Sequence, residues 1–173
     1  MYEKGDYVNY GTQGICKIED IRFIKFSCDF SEREYYLLKP VFRENACIYV
    51  PTDNQKLIDR MKPILSPEEI DNTILSAKNS EFSWIKDRKQ RTTVFQDILS
   101  RRDEKELLQL AICLYLKSTD NSKGLCSGDA QILKQVETII AQEFSFSLKI
   151  CPEEIGTYIR QKLEIPEINT KCD

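Results

Sequence analysis

The sequence predicts an α+β fold in two parts: a small antiparallel β barrel over residues 1–62 and an all-α bundle of about five helices over 63–165, closing with a frayed tail at 166–173. Three observations carry the prediction. The first sixty residues hold short runs rich in β-branched and aromatic side chains, separated by turn residues. After Pro63 the apolar period becomes that of helices. SPEE at 66–69 then supplies a helix-start signature: a capping Ser66, Pro67 at the first helical position and two glutamates in the first turn.

Four strands are expected, at Tyr7–Tyr10, Ile15–Phe26, Glu34–Phe42 and Cys47–Val50. Gly11 to Gly14 can make a tight reversal, Ser27 to Ser31 a longer hairpin loop, and Arg43 to Asn45 a third turn. So small a unit buries little apolar surface and should lean on the helical part of the chain. The helices are expected from Pro67 to near Lys78, from Ser83 or a little later to about Ser100, and from Asp103 to Lys117, the last carrying a buried leucine-rich face. A polar loop, TDNSKG, precedes a fourth helix marked by Ile132, Leu133, Val136, Ile139, Ile140 and Phe144, and a fifth starts at Pro152.

The chain has 173 residues, 41% hydrophobic and 31% charged, which is the composition of a globular protein. With no signal-peptide pattern and no long apolar run, it is expected in the cytoplasm, away from membranes. It contains no histidine, which excludes Ser-His-Asp and Cys-His nucleophile systems and most zinc or iron sites. Phosphate-binding glycine loops and acidic calcium loops are missing as well, so no catalytic residue, metal or cofactor is expected. The carboxylate pairs Glu68-Glu69 and Glu153-Glu154 each follow a proline and read as first-turn residues that meet the helix dipole. Seven cysteines, scattered at 16, 28, 47, 113, 126, 151 and 172 with no CxxC pair, read as free buried thiols.

Net charge is −3, yet residues 84–102 carry six basic side chains against two acidic ones, about +4, which leaves about −7 elsewhere. That segment begins WIKDRKQR, with the only tryptophan followed by Lys86, Arg88, Lys89 and Arg91. A solvated helix face and a phosphate-binding strip both fit such a run.

Several strings, in order, resemble the CarD/CdnL family of bacterial transcription regulators: GDYVNYGTQGICKIEDI, EREYYLLKP, CIYVPTDN, SWIKDRKQR and GLCSGDAQIL. The resemblance implies a Tudor/SH3-like barrel that binds the RNA polymerase β subunit, and a helical domain that contacts promoter DNA at the upstream edge of the melted bubble. It implies a minor-groove wedge at Trp84, phosphate contacts at Lys86, Arg88, Lys89 and Arg91, and polymerase contacts at Ile48 and Tyr49 together with Ile24 and Lys25. It further implies a non-enzymatic monomer that stabilises the open promoter complex, with weak and non-specific DNA binding of its own. An adaptor that never touches DNA is the other reading. Cys126 stands where relatives place a helix-capping serine.

Helical geometry leaves two readings of Trp84 open. In a helix begun at Ser83, turning about 100° per residue, Trp84 would lie about 20° from Phe95 and face the core. Arg88 and Arg91 would share that face, and burying unpaired guanidiniums is costly. That cost puts the start of the apolar stripe near Phe95 and frees the first turns to project, with Lys86 and Lys89 on the side away from Phe95; the resemblance then favours Trp84 as an exposed wedge.

Overall fold

A computed structural model describes residues 2–26, 31–43, 46–78, 82–120 and 124–164. The chain divides into two compact units, Met1–Ile64 and Leu65–Asp173. Of the expected loops, residues 27–30, 44–45 and 121–123 lie outside the described residues, as does all of the tail at 166–173.

The first unit is a five-stranded antiparallel sheet: β1 Tyr7–Tyr10, β2 Ile15–Ile24, β3 Arg33–Pro40, β4 Ile48–Pro51 and β5 Met61–Pro63. A single 3₁₀ turn at Gly11–Gln13 joins β1 to β2, and Gly11 and Gly14 both take positive φ there, at 49° and 72°. Side chains resist that backbone, which is why the reversal begins and ends on glycine. Alternation puts Val8, Cys16, Ile18, Tyr36, Leu38 and Val50 on one face, where they form the core with Met61. A bulge between Ile18 and Asp20 resets the register of β2, so that Ile21 returns to the core side.

The structure corrects the expected barrel. The strand order is β4-β3-β2-β1-β5, and among the described residues β4 and β5 do not pair, so the sheet stays open. These strands have four and three residues, and both end on proline, which has no N–H for a ladder. β5 and the one-turn helix α1, Gln55–Ile58, were not expected; Asn54 caps α1 by accepting from the Leu57 N–H.

The second unit contains α2 Pro67–Lys78, α3 Arg88–Arg101, α4 Glu104–Asp120, α5 Ser127–Leu148 and α6 Pro152–Leu163. Ser66 and Glu69 form a reciprocal capping box on α2, the Ser66 N–H donating to Glu69 and the Glu69 N–H to Ser66. Asp87 caps α3 and Asp103 caps α4. α4 packs against α2, α3 and α5, and α6 against α2 and α5. Phe95, Leu107, Leu108, Leu110, Leu114, Val136 and Phe144 are buried among them. Among the described residues no helix is long and apolar enough to cross a membrane, and no three metal-ligating side chains come together.

Candidate functional site

In the second unit the basic segment is divided between interior and surface. α3 starts at Arg88 rather than near Ser83, because Asp87 accepts from the Gln90 N–H at 2.8 Å and sets the helix start there. Trp84 therefore precedes the helix, and the wheel that placed it on the Phe95 face does not apply.

Arg91 lies one turn inside α3 and is 7% exposed. Its Nε and Nη2 donate to the two carboxylate oxygens of Asp129 in α5 at 3.2 and 3.0 Å, a two-pronged ion pair. Its Nη1 donates back to the carbonyls of Ile85 and Lys86 at 3.0 and 3.2 Å. The hydrogen bonds that Arg91 donates to Asp129, outweighing the effect of burial, raise the Arg91 pKa above its ordinary value. The expectation of a costly unpaired guanidinium is met by a partner 38 residues away, and Arg91 is committed inward instead of facing solvent.

This anchoring fixes Trp84. The Arg91 guanidinium lies 4.6 Å from the centre of the indole, and the Lys117 ammonium in the last turn of α4 lies 5.7 Å from it, both within cation–π range. Trp84 also packs on the helical core, so the ring is half-buried rather than exposed. Lys86, Arg88 and Lys89 are exposed and have no ion-pair partner among the described residues. Lys117 was missed because nothing in its local string links it to Trp84.

Beyond Arg91, the network reaches Cys126, whose thiol donates to Asp129 Oδ2 at 3.1 Å at the start of α5. Five cysteines are described and all are free. Their expected burial holds for Cys16; Cys113 is half-buried, and Cys47, Cys126 and Cys151 are exposed. Cys28 and Cys172 lie outside the described residues.

In the first unit, among the described residues, β4 pairs with β3 alone and so presents an open edge. The Thr52 N–H donates to the Glu34 carbonyl at 3.0 Å. By antiparallel alternation the Val50 amide then faces β3 and the Tyr49 amide faces the open side. Val50 is fully buried, Ile48 half-buried and Tyr49 40% exposed. Phe26, just past β2, meets Tyr49 and Tyr35 edge-on, each at 5.4 Å, and so brings the end of the Ile24-Lys25 stretch to the open strand. Ile24 itself is half-buried two strands away, opposite Arg33, while Lys25 is exposed. A hydrogen bond with the neighbouring Cys47 raises the Tyr49 phenol above its usual pKa.

A small antiparallel sheet whose edge strand β4 is open on its outer side beside the exposed Tyr49 has the geometry of a protein-docking β module. Residues 2–62 match the family model described as the CarD-like/TRCF RID domain. Over those residues the N-terminal unit is similar to the CarD-like/TRCF RID domain, which is consistent with a CarD-like, RNA polymerase-interacting family. No curated protein matches the chain.

Proposed function

We propose that the chain is a non-enzymatic transcription regulator that docks on the RNA polymerase β subunit through the β4 edge and stabilises the open promoter complex. The observation that carries this reading is the CarD-like/TRCF RID match over residues 2–62, on a unit whose β4 strand is unpaired on its outer side. Ile48, Tyr49, Ile24 and Lys25 are the proposed polymerase contacts, with Phe26 added by its packing on Tyr49. The protein works as a cytoplasmic monomer and needs no cofactor.

The helical unit contacts promoter DNA at the upstream edge of the bubble. Trp84 presents the exposed part of its ring as a minor-groove wedge, and Lys86, Arg88 and Lys89 hold the flanking phosphates. Lys117 adds a second cation beside the ring. Arg91 is assigned to orienting Trp84 instead of touching phosphate, since its guanidinium is enclosed with Asp129. DNA affinity is weak in isolation, because the acidic remainder of the chain repels a polyanion and recruitment falls to polymerase.

A footprint of the polymerase–promoter complex, taken across a salt series, tests this. The protein should extend protection at the upstream bubble edge, and Lys86→Glu with Lys89→Glu should weaken it and flatten the log–log salt slope by about 1.8. The same burial of Arg91 and half-burial of Trp84 favours a second reading, an adaptor that binds polymerase without touching DNA. An unchanged footprint with polymerase still bound would establish that alternative.

A further inference from the structure

A cavity of about 260 Å³ lies between α4, α5 and α6, walled by apolar side chains such as Ile112, Leu133 and Ile159. Two groups of opposite charge also line it, Glu137 from α5 and Arg160 from α6. We propose that this cavity binds a small zwitterion with an apolar side chain, its ammonium meeting Glu137 and its carboxylate meeting Arg160.

Glu137 is exposed to solvent on its outer side while lining the cavity, and it forms no ion pair among the described residues. Desolvation raises its pKa, which the Arg160 charge partly offsets. A carboxylate in such surroundings gains from any cation that reaches it. Arg160 spends one donor within its own helix, Nη2 to Thr157 Oγ1 at 3.1 Å, and leaves others for a ligand. A purely anionic occupant would be repelled by Glu137 and a purely cationic one by Arg160; a zwitterion of net zero charge satisfies both. Apolar cavities of about 150 Å³ accept benzene, so by simple scaling this one accepts about ten non-hydrogen atoms.

Gly156 adds an independent indication. It sits inside α6 and lines the cavity, where glycine lowers helix stability relative to alanine. A Cβ there would meet only Arg160 Nη1, at 3.5 Å, so no packing clash demands glycine. Its absent side chain keeps the cavity open.

L-Leucine is a suitable probe, with 4-methylpentanoate and 3-methylbutylamine as its deaminated and decarboxylated analogues. The test follows backbone amide shifts of the ¹⁵N-labelled full chain during titration, with Gly156→Leu as a filled cavity that retains a good helix former. Saturable shifts confined to α4, α5 and α6 are expected, with each analogue binding about tenfold more weakly for the loss of one charge-assisted contact. Gly156→Leu should abolish them while keeping the wild-type amide dispersion. No shift with leucine, equal binding of the analogues, or unchanged binding to Gly156→Leu would each overturn the proposal.

Discussion

Arg91 makes four hydrogen bonds, two to Asp129 and two to the carbonyls that precede α3, and is left no free face for a phosphate. Removing Asp129 leaves a buried guanidinium without its counter-charge, which costs about 3–5 kcal/mol. Asp129→Ala should therefore lower the urea midpoint of the helical unit and shift the emission of the single tryptophan, since Arg91 then loses its hold near Trp84. Trp84→Ala should cost less than the roughly 3–5 kcal/mol of a fully buried tryptophan, because part of its ring already meets solvent. Cys16 offers a second residue-level test. Burial pushes its thiol up to about 11, whereas Cys47, Cys126 and Cys151 are exposed. Alkylation of the native protein at about pH 8, near the ordinary thiol pKa, should modify those three and spare Cys16 until denaturant is added, as read by peptide mass mapping. The basic run was visible in the sequence, as was the cost of burying an arginine. Its resolution was not, because Asp129 lies on another helix and no local pattern points to it.

At the scale of elements, capping chemistry was legible where it is local. Ser66-Pro67-Glu68-Glu69 placed the start of α2, and Pro152 with two glutamates placed that of α6. The start of α3 was misplaced because Asp87 sits within a basic run that reads as continuous helix, yet its carboxylate caps. β5 and α1 were missed because three- and four-residue elements carry no period to detect. The seam between α2 and α6 makes a pH prediction. Tyr158 and Lys162 of α6 both reach Asp71 of α2, at 2.5 Å. Burial alone would raise the Asp71 pKa, but the two hydrogen bonds and the Lys162 charge outweigh it and hold the carboxyl below its usual value. Because the folded pKa is the lower one, the contribution to stability is full above the unfolded value of about 3.9 and disappears as pH falls through the folded value. Asp71→Asn should lower the urea midpoint at about pH 7 and lose that difference progressively on acidification below about pH 4. A difference that stays constant through that acidification would refute the assignment. On β4, proline at position 49 removes the amide that faces the open edge and leaves the ladder to β3 in place.

For the whole molecule, the division at 64/65 separates a β unit with an open edge from a helical unit that carries the basic segment and Trp84. The change of period after Pro63 made the passage from strands to helices legible, whereas the open sheet was not, since strand spacing alone does not say whether the last strands meet. One unit is proposed to hold polymerase while the other acts on promoter DNA, and the lifetime of the open complex after competitor challenge reads both at once. The wild-type chain should lengthen that lifetime. Tyr49→Pro should remove the effect together with polymerase binding, and Trp84→Ala should remove most of it while polymerase stays bound. A lifetime that wild-type protein leaves unchanged while it is bound to polymerase, or that Trp84→Ala extends as fully as wild type, would overturn that division of labour.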